Sequence, residues 1–250
     1  MKRAMLLDIG GGGKMSAIRP TTLVLLPGMH GSGQLFAPFV RALPDSIKPL
    51  PVSYPPDLAL DYEGHLDLVL AALPVDEPFV LLGESFSGPL AIMAAARQPK
   101  GLRGVILCAT FVTYPPSLPA FVGRLLVSTG VFRMKSTRLF LRLLLGKHPP
   151  AELKELFVQA LARVRPEVLA ARARAVLDLD CTDALRDCPV PILDMVADHD
   201  RIIAGRYSEF MHAIRPDAEI VHFNAPHIIL QCAPIEAARE IQRFVDSGTV

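Results

Sequence analysis

The chain has 250 residues, 51% hydrophobic and 20% charged, with a formal net charge of +1. That size and apolarity suffice for one well-buried domain and exclude a disulfide-stapled miniprotein or a charged disordered polymer. Near-neutrality offers no overall attraction to nucleic acid, which is not expected as a partner.

Residues 1–18 read as a flexible extension, because Gly10 to Gly13 followed by Lys14, Met15 and Ser16 cannot bury a core face. The apolar stretch after Lys2 and Arg3 is broken at Asp8 and leads to no small-residue cleavage site, so an export signal is not expected. A phosphate-binding loop is excluded there as well, since Asp8 stands where its first glycine belongs and Met15 separates Lys14 from Ser16.

From Thr21 onward, short continuous apolar runs alternate with helical patterns, and continuous apolarity marks strands buried on both faces of a parallel sheet. Strands are predicted over 22–26, 47–53, 79–83, 104–109, 190–196 and 219–223. Helices are predicted over 35–43, 62–73, 86–97, 205–214 and 234–245. Repeated βα order predicts an α/β doubly wound, mostly parallel sheet. The helix after Gly83 is apolar almost all round, from Leu90 to Ala96, and is expected at the centre. Residues 114–180 carry helical periodicity without a convincing strand and are predicted to form a helical cap, inserted in a core of 19–113 and 181–250.

The segment Phe79-Val-Leu-Leu-Gly-Glu-Ser85-Phe-Ser-Gly has the pattern of a nucleophile elbow, a strand turning sharply through small residues into a helix. Such a turn lifts Ser85 Oγ clear of the sheet. A serine hydroxyl needs a base, and the base needs a carboxylate, in chain order Ser, Asp, His for this fold. Asp200 and His227 supply them, each just past a predicted strand end, where sites form in α/β sheets. Asp200 is preferred to Asp198, which is expected to stabilise the turn, and His30, His65, His148, His199, His212 and His222 lack His227's placement as the base. The oxyanion of a tetrahedral intermediate requires N–H donors. They are assigned to Phe86, next to the nucleophile, and to Met29 in the Gly-rich loop Leu26-Pro-Gly-Met-His-Gly-Ser-Gly, with His30 as a rival contact.

On LLGESFSG, ADHDR and PHIILQ, residues 21–245 resemble the α/β-hydrolases of the small bacterial carboxylesterase type, including the pimeloyl-carrier-protein methyl esterases. Two positions depart from the family: Ser87 replaces the last glycine of GxSxG, and Pro27-Gly28 stands where His-Gly is common. The resemblance implies hydrolysis of a small-molecule carboxylic ester with a short to medium acyl chain through an acyl-serine, with no cofactor. Thioesterase, lactonase or perhydrolase chemistry on the same triad is the alternative, as is a ligand-binding homologue with little turnover.

Between 111 and 175, eleven Lys or Arg face three Glu, a net +8 that leaves −7 elsewhere. These charges are expected on a solvated basic face. An anionic substrate, an anionic carrier or a membrane surface is the sharper alternative for what that face attracts. Cys108, Cys181, Cys188 and Cys232 have neither CxxC nor metal-ligand spacing, so no metal site is expected and free thiols in a reducing, cytoplasmic setting are. No apolar run reaches the ~18 residues of a transmembrane segment.

Overall fold

A computed structural model describes residues 20–114, 137–147, 149–203 and 205–247. The predicted extension at 1–18 lies outside them, as do residues 115–136 and His148 of the predicted cap. Among the described residues, β1 (Thr21–Leu26), β2 (Ile47–Pro51), β3 (Phe79–Glu84), β4 (Leu102–Cys108), β5 (Ile192–Ala197) and β6 (Glu219–Phe223) form one sheet in the order β2-β1-β3-β4-β5-β6, every pair parallel. β2 ends at Pro51 rather than at residue 53, and it is an edge strand, where Pro49 and Pro51 are tolerated without an N–H.

Why these strands read as unbroken apolar runs follows from the side-chain period of two. Leu23, Leu25, Val80, Leu82, Ile106, Leu193 and Met195 pack on one face of the sheet with Phe36, Phe39 and Ile241. Val24, Leu26, Leu81, Val105, Leu107 and Ile192 pack on the other with Leu66, Val69, Leu90 and Ile92. Both faces are covered by helices, so both sets of alternating positions are mostly apolar.

The helices are α1 (Ala37–Val40), α2 (Tyr62–Ala72), α3 (Gly88–Ala96), α4 (Thr137–Leu145), α5 (Ala151–Arg163), α6 (Pro166–Leu177), α7 (Thr182–Arg186), α8 (Arg206–Ile214), α9 (Ile229–Cys232) and α10 (Pro234–Asp246). The helix predicted over 35–43 is instead a 3-10 turn, Gly33–Phe36, running into the single turn of α1. The short α7 and α9 escape prediction because four or five residues hold too little periodicity. α3 is buried almost all round, and a 3-10 turn at Ser85–Ser87 precedes it.

α4, α5 and α6 fall within 114–180, and Thr113 pairs with Asp180 in an antiparallel bridge where the chain leaves the core and returns. Leu141, Leu144, Leu145, Leu153 and Phe157 of these helices pack with Leu35 and Ile228. No helix among the described residues is long and apolar enough to cross a membrane. The strand order reverses between β1 and β3, and the crevice at such a reversal is where α/β sheets bind ligands.

Asp194 breaks the apolar run of β5. Its carboxylate is buried, accepts a hydrogen bond from Ser208 Oγ of α8, and is pushed up to about 6 by burial. A folded pKa above the unfolded one means that folding takes up a proton, so this group's contribution weakens as pH rises from about 4 to about 6. Asp194→Asn removes the cost of burying the charge. Relative to wild type, the variant gains up to about 3 kcal/mol between pH 4 and pH 8 from a shift of two units. Urea denaturation at both pH values measures it, and a difference independent of pH refutes it.

Candidate active site

Two loops meet at the reversal point. The nucleophile elbow leaves β3, and Ser85 is held at φ +53, the left-handed region that only an over-determined turn imposes on a residue with a Cβ. The turn is tight enough that a Cβ on Gly83 would lie 2.3 Å from the Ser87 carbonyl oxygen, and one on Gly88 would lie 2.1 Å from Thr110 Oγ1. Thr110 Oγ1 donates to the Ser85 carbonyl at 2.5 Å. The same peptide plane carries the Phe86 N–H, which must point the opposite way in a trans peptide. Tyr62 OH donates to the Phe86 carbonyl at 3.1 Å and stacks on the Phe86 ring, so both peptides around Phe86 are held.

The second loop follows β1. The Gly31 N–H donates to the Gly28 carbonyl at 2.8 Å, closing a turn in which Gly31 takes φ +72. That bond orients the peptide carrying the Met29 N–H. Ser87, the departure from the glycine of the usual motif, ties the two loops together. Its Oγ donates to the Pro27 carbonyl at 2.5 Å, and with its one hydrogen so used it accepts from Tyr54 OH at 2.6 Å. Burial pushes Tyr54 well above the ordinary phenol range, so it remains a donor.

Ser85 Oγ lies 2.8 Å from His227 Nε2, and His227 Nδ1 lies 2.6 Å from Asp200 Oδ2. The other carboxylate oxygen, Oδ1, accepts from the Ile202 and Ile203 amides at 2.7 and 2.8 Å. The His227 and Asp200 side chains are 3% and 4% exposed, so their bond is shielded from water. An acceptor at Nδ1 puts the proton of neutral His227 there and leaves the Nε2 lone pair facing Ser85.

The structure thus brings together Ser85, Asp200 and His227, and sets Met29 and Phe86 on the two loops beside them. Asp198 is elsewhere: it pairs with His222 Nδ1 at 2.9 Å on the surface. His199 Nε2 contacts Asn224 Oδ1 at 2.8 Å. His30 accepts the Ser32 amide at Nδ1 (3.0 Å) and places Nε2 3.8 Å from the buried Glu84 carboxylate. Gln231 Nε2 donates to the other Glu84 oxygen at 2.9 Å, so Glu84, next to Ser85 in the chain, is held from α9.

One expectation is corrected. Arg172, counted with the basic face of the predicted cap, is fully buried. Its place on α6 was legible in part, since Val168 and Arg172 stand four apart on the helix face that points inward. Tyr54 and Thr110 carried no signal at all. Their partners lie 33 and 25 positions away in sequence.

With this geometry in place, the family is shown by comparison. The Alpha/beta hydrolase family model matches residues 21–241, and the chain belongs to that family. It is 30% identical over 211 residues to the pimeloyl-[acyl-carrier protein] methyl ester esterase of Neisseria meningitidis serogroup B, covering 80% of this chain and 71% of that protein. It is 28% identical over 241 residues to polyketide synthase ThaQ of Burkholderia thailandensis, covering 87% of this chain but only 11% of that much longer protein. Among solved structures, a thermophilic esterase from Thermogutta terrifontis aligns with a TM-score of 0.78 at 21% identity, covering 92% of this chain and 91% of that one, a likeness of fold.

Proposed function

We propose that the protein is a serine esterase that hydrolyses small carboxylic esters of short to medium acyl chain. The observation that carries this reading is the unbroken hydrogen-bond chain from Asp200 through His227 to Ser85 Oγ. As Oγ attacks the ester carbonyl, its proton passes to His227 Nε2, and Asp200 stabilises the imidazolium. The Met29 and Phe86 N–H groups receive the oxyanion. Collapse of the tetrahedral intermediate expels the alcohol, which takes the proton from His227 and leaves acyl-Ser85. Water then attacks with His227 again as base, and the second collapse releases the acid and returns the proton to Ser85. His227 carries both protons, passing the one from Ser85 to the alcohol and returning one from water to Ser85, so the cycle calls for no cofactor.

A second reading, an acyl group presented on an acidic carrier protein, is supported by the name of the Neisseria relative and by Lys154, Arg163, Arg165 and Arg174, which are exposed on α5, α6 and the turn between them. A cytoplasmic setting fits either reading. The test is nitrophenolate release from p-nitrophenyl acetate, butyrate and octanoate, beside thioester, lactone and carrier-bound methyl ester panels. Esters are expected to turn over fastest. Faster thioester or carrier-bound turnover favours the second reading, a burst without turnover favours a receptor-like homologue, and no release above a Ser85→Ala background refutes both.

A further inference from the structure

Arg172 is the largest of the fully buried side chains, and it enters the core from α6, a helix that belongs to the segment between β4 and β5. Its three nitrogens are all engaged. Nη1 donates to the Met29 carbonyl at 2.8 Å, Nη2 to the Pro55 carbonyl at 3.0 Å, and Nε to His65 Nε2 at 3.3 Å. The guanidinium carbon lies 5.7 Å from the centroid of the Tyr54 ring. His65 is a neutral acceptor here, because its Nδ1 faces the Asp61 carbonyl at 2.6 Å and so carries the proton, and burial lowers its pKa. Every partner is therefore a dipole or a π face, and among the described residues no carboxylate faces the guanidinium. Burying a charge with no counter-ion is expensive, so its persistence calls for a purpose that a Leu or Met would not serve.

The placement suggests one. The Gly31 amide orients the peptide on the N-terminal side of Met29, and Arg172 holds the peptide on its C-terminal side. Ser87 holds the carbonyl of Pro27, and Tyr54 links Ser87 to the Arg172 guanidinium. The fit is close, because a Cβ on Gly31 would stand 2.6 Å from Arg172 Nη1. We infer that Arg172 is a positioning residue for the oxyanion hole, holding the carbonyl side of Met29 while the turn closed between Gly28 and Gly31 sets its N–H, and keeping a positive charge without a carboxylate partner among the described residues near the oxyanion that forms there. The inference rests on the reading of Ser85 as nucleophile and Met29 as an oxyanion donor. It makes the rate of acyl transfer depend on how the α6 segment is seated, since the charge arrives on that helix.

The decisive variants are Arg172→Met, Arg172→Gln and Arg172→Lys, assayed on p-nitrophenyl butyrate per active site titrated with a fluorophosphonate, so that unfolded protein does not count. For both neutral variants kcat is expected to fall by about 10²-fold, the range for loss of one oxyanion-stabilising group, with KM changed less than about threefold. Affinity for an alkylboronic acid, whose adduct with serine is tetrahedral and anionic, is expected to fall in parallel. Lys keeps the charge and is expected to recover at least about tenfold in kcat. A purely structural role would lower the titratable fraction and leave both kcat per site and boronate affinity at wild-type values, which overturns the inference, as does a rise in KM at constant kcat. If the Met variant does not fold, the comparison of Gln with Lys decides on the same terms. Ser85→Ala separates the two levels: full activity in that variant overturns the nucleophile reading and this inference with it, whereas an inactive Ser85→Ala beside a wild-type Arg172→Gln overturns this inference alone.

Discussion

Asp200→Asn is expected to lower kcat on p-nitrophenyl butyrate by about 10⁴-fold while leaving the fold intact, a loss like that seen when the acid of a Ser-His-Asp triad is amidated. The geometry explains why so small a change is so costly. One oxygen of Asp200 is held by two backbone amides, from Ile202 and Ile203, and only an oxygen satisfies them. An Asn must therefore place its carbonyl there and turn its NH2 toward His227. Facing a donor, Nδ1 becomes the acceptor and the proton moves to Nε2, where it blocks the uptake of the Ser85 proton. Because the amide bonds survive, circular dichroism and melting temperature stay close to wild type. Ser85→Ala and His227→Ala lose as much or more, and the Ser85→Ala, His227→Ala double variant is no worse than the singles, since the residues act as a unit. A loss under tenfold in Asp200→Asn would remove Asp200 from the triad.

Gly83→Ala is expected to be the most damaging single methyl group in the core. Its Cβ would stand 2.3 Å from the Ser87 carbonyl oxygen and 2.7 Å from the Gly88 Cα, and both are backbone atoms at the elbow that cannot swing aside. Overpacking of side chains costs about 1–3 kcal/mol, and a clash that moves backbone belongs at or beyond the top of that range. At roughly 2–4 °C per kcal/mol for a chain of this size, the melting temperature falls by about 10 °C. Gly205→Ala is the control, because no atom of the described residues lies within 4 Å of its added Cβ. It is expected to change stability by less than about 1 kcal/mol. Activity in Gly83→Ala falls too, since a shift of the elbow misplaces Ser85 Oγ relative to His227. Equal melting temperatures for the two variants would show that the elbow is looser than its contacts imply.

The strands of the sheet were legible because burial on both faces writes itself into every position of a strand. The elbow was legible because steric crowding writes small residues at Gly83, Ser87 and Gly88. Asp200 and His227 were legible because strand ends could be placed to within a residue or two, and a parallel sheet collects whatever follows those ends. These are signals of short range. Each can be read from about ten neighbouring residues.

What joins distant parts was not. In sequence Ser87 is only a departure from the family's glycine, and the fold alone shows its hydroxyl bonded to Pro27, 60 positions away. Arg172 looked like one of eleven basic residues on a solvated face, and only the fold buries it against Met29, 143 positions away. Sequence periodicity records which face of a helix is apolar, and a single Arg on that face registers as noise. The sequence by itself determined the sheet, the elbow and the order of the three polar side chains, because local sterics and burial act residue by residue. The tertiary structure alone decided how the loop after β1 is held, because a hydrogen bond across more than a hundred residues has no period to leave in the chain.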